Sequence, residues 1–300
     1  MRQREIVMPS KSLGLSCALS TPFGHDARVD TARLAEHANW CLAQGCDSIT
    51  LFGTTGEGAA VGVADRARSI KSLLAGIAPA RLLSGITACA PDDAAAQARV
   101  AVDAGLYGLL LTPPWYFRDV SDDGLFAWFA RVLEMIGNAR NVYLYHIPSM
   151  TGVPLSVDLV GRLKTAFPGV VVGVKDSSGD WANTEKLLAA HRDLQILVGD
   201  ERQLARAVRQ GGAGTICGLA NLLPGIVRKA AHEGIDDARI TAAVEAIVRY
   251  PFMPAVKALI AHQRNDARWR VMAPPLAPLA DADAHRLTVE FEKVLTAKAA

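Results

Sequence analysis

The chain lacks the features that would suggest a membrane, a nucleic acid or secretion. Among 300 residues, 32 are basic and 30 acidic, so the formal net charge of +2 gives no basic surface for nucleic acid or lipid headgroups. No apolar run reaches the roughly 18 residues of a membrane span. The amino-terminal stretch MRQREIVMPSKSLG lacks the apolar segment of a secretory signal. We therefore expect a cytoplasmic protein that acts on a small molecule.

Cysteines are few and show no pattern of a disulfide framework or a metal site. They are odd in number, lie mostly in apolar runs and form no C-x-x-C pair. The five are Cys17, Cys41, Cys46, Cys89 and Cys217. This distribution predicts reduced thiols in the core of an intracellular protein, without a metal.

Eight short apolar runs are present, and amphipathic helical patterns separate them. The runs span residues 14–20, 47–52, 81–87, 106–112, 141–147, 170–175, 194–199 and 214–219. Strands that are apolar throughout and alternate with helices indicate parallel pairing under helical cover. The pattern predicts a (β/α)8 TIM barrel over residues 1–224. A doubly wound open sheet is the alternative, but the first strand is not followed by the glycine-rich turn G-x-G-x-x-G that often marks it.

Two further patterns describe the helices. Gly45 and Gly105 follow apolar residues spaced three and four apart, as glycines that end helices do. After residue 222 no further strand is indicated, and three helical patterns continue to the end of the chain. We predict a C-terminal helical domain over residues 225–300.

The run VVVGVKDSSGD (170–180) places Lys175 at the end of a buried strand. A lysine is seldom buried, because its ammonium group loses hydration there, yet the neutral amine favoured by burial is the form that attacks a carbonyl. The other eight lysines lie in helical patterns or near the termini, where a solvated ammonium is easily accommodated. Lys175 is thus a candidate Schiff-base residue. An ion pair with Asp176, or an ammonium that reaches solvent, are the structural alternatives.

Tyr145 ends the strand that precedes the Lys175 strand. In a barrel the two residues lie at the same height on neighbouring strands, where a phenol can transfer protons for an imine-forming amine. Ordinary packing is the alternative for Tyr145. His146 points to the other face and is expected to be a packed or supporting residue.

The stretch GTTGEG (53–58) combines hydroxyl groups with glycine-exposed backbone N–H groups. Such a loop can hold a carboxylate through several hydrogen bonds. It is too short for a phosphate-binding P-loop and lacks the lysine of that motif. A simple turn is the alternative.

Three motifs together resemble the dihydrodipicolinate synthase and N-acetylneuraminate lyase family. They are GTTGE at 53–57, Y-x-I-P-x-x-T-G at 145–152 and GVKDSSGD at 173–180. The resemblance extends from ALSTPF (18–23) to FMPAVKALI (252–260). It implies a barrel enzyme, usually a homotetramer, that binds pyruvate or another 2-oxo acid as an imine without a metal or organic cofactor.

The resemblance also assigns roles to individual residues. Lys175 would form the Schiff base and Tyr145 would shuttle protons. Thr54 would link Tyr145 to Tyr116, which would reach across a subunit interface. The remaining pocket residues would be Thr55 as carboxylate anchor, Gly53 in the same loop, and Ile216 as lining.

Met150 is where the chain departs from the lysine-pathway synthases. They carry an arginine there, which pairs with the carboxylate of aspartate semialdehyde, and a thioether cannot replace it. The lyases of the family hold a sugar tail with hydroxyl-binding residues, and the similarly placed residues here are Ser177, Asp200 and Glu201.

These observations predict a pyruvate-dependent class I aldolase or lyase. The alternatives are a dihydrodipicolinate synthase of lysine biosynthesis, a sugar-acid dehydratase of the same family, and a non-catalytic barrel that binds a small ligand.

Overall fold

A computed structural model describes residues 12–296 and contains the predicted barrel. The charged stretch at residues 1–11 and residues 297–300 of the last predicted helix lie outside the described residues. Eight parallel strands form a closed sheet in sequence order. The strands are β1 Gly14–Ala18, β2 Ser48–Leu51, β3 Leu82–Ile86, β4 Gly108–Leu111, β5 Val142–His146, β6 Val171–Asp176, β7 Gln195–Val198 and β8 Gly214–Cys217.

The sheet closes where β1 pairs with β8, with Ser16 opposite Ile216. All eight strand predictions are confirmed, and each observed strand lies within about two residues of its predicted bounds because the flanking residues turn into loops. The open-sheet alternative is excluded by the closure.

Helices follow the strands and cover the outside of the barrel. They are α1 Thr31–Ala43, α2 Val63–Leu73, α3 Pro91–Asp103, α4 Asp122–Ile136, the single turn α5 Pro148–Thr151, α6 Val157–Ala166, α7 Trp181–Ala190, α8 Leu204–Arg209 and α9 Pro224–Glu233. Side chains cap several of these helices. Ser156 accepts a hydrogen bond from the N–H of Leu159 at 3.0 Å, for example, and satisfies a donor that the helix leaves free. Gly45 and Gly105 lie just past α1 and α3 with positive φ, as predicted.

Three more helices complete the chain. They are α10 Ala238–Val248, α11 Phe252–Arg264 and α12 Asp281–Thr296. Helix α9 packs against β1, whereas α10 packs against the turn after β7 and α11 is buried along most of its length. The boundary predicted at residue 224 falls at the start of α9 and stays a prediction. No helix within residues 12–296 is long and apolar enough to cross a membrane.

Two apolar layers hold the barrel together. One lies between the strands and the helices, and the other fills the barrel interior with side chains that include Leu83, Leu110, Tyr143, Leu197 and Ile216. Burial of each of these side chains stabilises the folded state by about 1.5 to 3 kcal/mol. The interior is therefore a packed core, and polar side chains concentrate where the strands end.

Candidate active site

Lys175 and Tyr145 meet at the carboxyl end of the barrel. The register pairs the two residues directly across β5 and β6. Lys175 Nζ donates a hydrogen bond to the Tyr145 hydroxyl at 3.2 Å and lies 4.3 Å from the centre of the ring. The Tyr145 hydroxyl is also 3.3 Å from Thr54 Oγ1. A continuous path for protons thus runs from the lysine through the tyrosine to the loop after β2.

Lys175 has no carboxylate partner in the part of the chain that the structure describes. It is 5% exposed, and within residues 12–296 the lysines that form ion pairs are Lys164 and Lys257. Asp176, the alternative partner considered above, instead accepts hydrogen bonds from Asn183 Nδ2 and Thr184 Oγ1, both at 2.9 Å. An amine that is not held in an ion pair can act as a nucleophile toward a carbonyl carbon.

The loop after β2, residues 53–58, is called the threonine loop below. Among the described residues, the N–H groups of Thr54 and Thr55 donate no hydrogen bond to a backbone carbonyl. The Thr55 side chain is buried, and a Cβ added at Gly218 would lie 3.3 Å from its Oγ1. Two free N–H groups and a hydroxyl in a buried position form a site suited to a carboxylate. These three donors are called the carboxylate cradle.

Residues at the ends of β7 and β8 limit the space around the lysine. Gly199 lies so close that an added Cβ would be 3.2 Å from Lys175 Cε and 1.9 Å from Ser177 Oγ. Ile216 is fully buried in the barrel interior. A side chain at position 199 would clash with Ser177 and crowd Lys175, so the glycine leaves room beside both.

Glu201 and Asp200 differ although they are adjacent. Asp200 accepts a hydrogen bond from Arg202 Nε at 2.9 Å, so its carboxylate already has a partner. Glu201 is buried and accepts from the N–H of Leu219 at 2.8 Å. Burial raises the pKa of the Glu201 carboxyl, an effect that the Leu219 hydrogen bond and the charge of Lys175 oppose. Both carboxylates thus have a partner, and Glu201 differs from Asp200 in being buried.

Tyr116 does not join the path from Lys175 to Thr54 within this chain. It lies in the loop after β4, residues 113–117, called the aromatic loop below, and is 77% exposed. Its ring packs edge-to-face on Phe117, itself 67% exposed, at 5.6 Å. Two large aromatic side chains in solvent are unusual and suggest a contact with another surface.

An apolar cavity of about 360 Å³ opens beside Thr54. The half-exposed Met150 borders it. Further lining residues include Gly53, Trp115, Ile147, Met253 and Leu276. Gly53 and Met150 thus lie at one opening next to the proton path, with no cation at the position of Met150.

His146 is a supporting residue, in agreement with its predicted place on the outer face. Its Nδ1 accepts a hydrogen bond from the N–H of Leu155 at 2.9 Å, and burial lowers the pKa of the imidazole. A neutral His146 with Nδ1 as acceptor fixes the segment after α5 to the barrel.

Sequence reasoning missed a buried ion pair behind the threonine loop. Glu57 pairs with Lys257 on α11, and both side chains are almost completely buried. The Glu57 Oε2 atom also accepts from the N–H of Ala273 at 3.0 Å, and Lys257 Nζ donates to the carbonyl of Val271 at 2.8 Å. The expectation that Lys257 carries a solvated ammonium is wrong, because these partners replace its water.

Arg66 on α2 is a second buried cation that sequence reasoning missed. The pattern DRAR around it indicates a solvated helix face, and the neighbouring Arg68 fits that pattern. Arg66 itself is completely buried against the threonine loop. Only the fold, which turns this one position of α2 toward β2 and β3, distinguishes the two arginines.

The closed barrel and the paired lysine and tyrosine define a class I aldolase or lyase, an enzyme that forms a Schiff base. The sequence profile of the Dihydrodipicolinate synthetase family matches residues 11–290, and the chain belongs to this family. The resemblance inferred from the three motifs is thereby confirmed.

Relatives of known sequence extend over nearly the whole chain. An uncharacterised DapA-like lyase from Chloroflexus aurantiacus is 30% identical over 290 residues, which cover 94% of this chain and 97% of the relative. A 4-hydroxy-tetrahydrodipicolinate synthase from Chlorobium limicola is 28% identical over 293 residues, with coverage of 94% and 97%.

Solved structures of other proteins also match nearly the whole chain. A dihydrodipicolinate synthase from Agrobacterium tumefaciens is 50% identical, with a TM-score of 0.92 and coverage of 94% of this chain and 99% of that one. A 2-keto-3-deoxygluconate aldolase from Sulfolobus solfataricus is 22% identical, with a TM-score of 0.83 and coverage of 94% and 96%, and shows a shared fold alone.

Proposed function

We propose that Lys175 forms an imine with pyruvate or a related 2-oxo acid and that the enzyme then makes or breaks a carbon–carbon bond. The observation that carries this proposal is the contact between Lys175 Nζ and the Tyr145 hydroxyl at 3.2 Å, with no anion beside the amine within residues 12–296. The neutral amine attacks C2 of the 2-oxo acid. Tyr145 transfers protons as the carbinolamine forms and loses water.

The imine then provides the carbon nucleophile. Loss of a proton from C3 gives an enamine that adds to an aldehyde, and hydrolysis of the new imine releases the product and the free lysine. The reverse sequence cleaves the same bond and releases pyruvate. In both directions we assign the carboxylate of the 2-oxo acid to the carboxylate cradle, with Gly53 leaving room and Ile216 lining the other side.

Tyr116 completes this site in an oligomer. We assign it to the Thr54 hydroxyl of a neighbouring subunit, in a homotetramer. Support comes from the exposure of Tyr116 and Phe117 and from the apolar cavity beside Thr54, since an exposed aromatic pair next to an apolar cavity suits exchange across a two-fold axis. Free cysteines, four of which are buried, suit the reducing cytoplasm that we propose as the compartment.

The second substrate is proposed to lack a carboxylate at the position facing Met150. Ser177 is available for a hydroxyl group, whereas the carboxylates of Glu201 and Asp200 already accept from the Leu219 N–H and from Arg202 and would have to share or exchange these partners. A lysine-pathway synthase is the second candidate, and its support is the 50% identity to the Agrobacterium tumefaciens synthase. A dehydratase of the same family would use the same imine.

Trapping with pyruvate and borohydride tests the imine. Mass spectrometry is expected to show one covalent adduct of pyruvate size on wild type and none on Lys175→Ala. Lys186→Ala, which removes an exposed lysine of α7, is the matched control and is expected to trap as wild type does. An unchanged adduct in Lys175→Ala would refute the assignment, and a wild type that traps nothing would favour a non-catalytic barrel.

A further inference from the structure

The guanidinium group of Arg66 lies directly beneath the threonine loop. It is 0% exposed and donates to three backbone carbonyl groups. These are Val61 O at 3.0 Å, Gly85 O at 2.6 Å and Gly58 O at 2.8 Å. A fourth hydrogen bond reaches Thr87 Oγ1 at 3.1 Å, and the group also lies 4.8 Å from the centre of the Phe52 ring.

Within residues 12–296, Arg66 has no anionic partner, in contrast to the other buried cation at this loop. Lys257 is paired with Glu57, so that pair adds no net charge. None of the ion pairs found within residues 12–296 includes Arg66, and each of its bonded partners is neutral. A buried guanidinium without a carboxylate costs several kcal/mol of solvation. Such a costly arrangement suggests a function beyond packing.

The direction of the carbonyl groups indicates that function. The carbonyl and N–H groups of a peptide point to opposite sides. By binding the carbonyl groups of Gly58 and Val61, Arg66 therefore fixes the orientation of the chain that leaves the threonine loop. Two hydrogen bonds within the loop transmit this constraint, from the N–H of Gly58 to Gly53 O and from the N–H of Glu57 to Thr54 O, both at 3.0 Å. The free N–H groups of Thr54 and Thr55 belong to the same short segment.

We propose that Arg66 is a positioning residue for the carboxylate cradle and makes the site selective for 2-oxo acids. It holds the loop so that the free donors of Thr54 and Thr55 face the barrel mouth, and its uncompensated charge favours an anion there. This inference deepens the proposed function and rests on it. Arg66 does not touch the substrate, so its effect on binding is indirect.

An arginine is required because the acceptors surround a planar fork. Nε, Nη1 and Nη2 each reach a different carbonyl group, which a lysine ammonium on a single flexible stem cannot reproduce. Arg66→Lys therefore keeps the charge and loses the geometry, whereas Arg66→Met loses both. Arg68→Met is the matched control, since Arg68 lies on the same helix with its side chain 42% exposed.

The experiment measures how the rate of borohydride trapping depends on pyruvate concentration. It yields an apparent Kd for pyruvate and a limiting rate at saturation for each full-length variant. For Arg66→Met we expect the Kd to rise about tenfold to a hundredfold, the range for a weakened charge-assisted contact, with the limiting rate within about threefold of wild type. Arg66→Lys is expected to recover part of the affinity, and Arg68→Met to match wild type.

Comparing the change in Kd with the change in limiting rate distinguishes a positioning role of Arg66 from a loss of folded protein. A lower folded fraction reduces the amount of adduct but leaves the Kd of the folded molecules unchanged. An unchanged Kd in Arg66→Met, or in Arg66→Lys if the methionine variant does not fold, would overturn the inference. If wild type traps pyruvate and the Arg66 variants show only a lower limiting rate, the inference about Arg66 is wrong and the proposed function still holds.

Discussion

The mouth of the barrel has two halves that are built differently. On one side, Lys175, Tyr145 and the threonine loop are buried, hydrogen-bonded to one another and supported from behind by two buried cations. In contrast, the side chains of Tyr116 and Phe117 of the aromatic loop and of Met150 are exposed. A single chain specifies the first half completely. We propose that another subunit or a substrate covers the second half.

This difference in burial corresponds to a difference in the roles that we propose for the two sets of residues. Lys175 and Tyr145, to which we assign the chemistry, lie on the buried side, where their neighbours restrict them. Met150, which we propose faces the second substrate, lies on the exposed side, where substitution costs little stability. We therefore expect variants of the buried side to lose turnover or stability, and variants of the exposed side to change assembly or specificity.

The largest effect on the buried side is expected for Tyr145→Phe. The ring still packs, but the hydroxyl that bridges Lys175 and Thr54 is gone, so turnover is expected to fall by about 10²- to 10⁴-fold, the range for a lost general acid or base. The yield of pyruvate trapped at long times is expected to remain near that of wild type. Steady-state kinetics and mass spectrometry measure the two quantities. Turnover at the wild-type rate would return Tyr145 to a packing role.

Lys257→Met tests the support behind the threonine loop. It leaves the buried Glu57 carboxylate without its cation, and breaking one side of a buried pair typically costs about 3 to 5 kcal/mol. Burial raises the pKa of Glu57 and lowers that of Lys257, so both groups depend on each other to stay charged. Urea unfolding measures the loss.

Two controls accompany that measurement. Lys229→Met removes an exposed lysine of α9 and is expected to change the free energy of unfolding by less than about 0.5 kcal/mol. The double variant Glu57→Gln with Lys257→Met removes both charges and is expected to recover part of the loss. If the double variant recovers no stability, Lys257→Met destabilises the protein through poor packing of the methionine.

A smaller effect is expected for Tyr116→Phe on the exposed side. If Tyr116 supplies its hydroxyl to the neighbouring subunit, turnover is expected to fall about tenfold to a hundredfold, at or below the lower end of the acid–base range. The assembly is expected to remain intact, because the ring is retained. Sedimentation velocity checks the assembly, and Phe117→Ala is the matched variant that is expected to weaken it. Wild-type turnover of Tyr116→Phe would remove the residue from the relay.

The smallest effect is expected for Met150→Arg. A cation at this position is expected to raise kcat/KM for aspartate semialdehyde with pyruvate about tenfold, since one charge-assisted contact contributes about 1.5 kcal/mol or more. Uncharged aldehydes are expected to react more slowly. Efficient condensation by wild type that the arginine does not improve would favour the lysine-pathway synthase.

The sequence predicted the fold and the placement of Tyr145 beside Lys175 because both follow from repeating local patterns. Eight apolar runs determine eight strands, and the equivalent ends of two neighbouring runs bring Tyr145 opposite Lys175. Arg66 and Lys257 could not be found in this way. Each lies in a helical pattern with other charged residues, and its burial depends on which part of the barrel the helix meets, which is a long-range property.

The contact between Glu57 and the N–H of Ala273 joins residues 216 positions apart. Closing so long a segment is slow compared with pairing neighbouring strands. During synthesis the lysine, the tyrosine and the threonines all emerge well before the residues that lock the threonine loop. A chain that ends before residue 257 therefore carries Arg66, Tyr145 and Lys175 beside a threonine loop whose Glu57 lacks its ion pair.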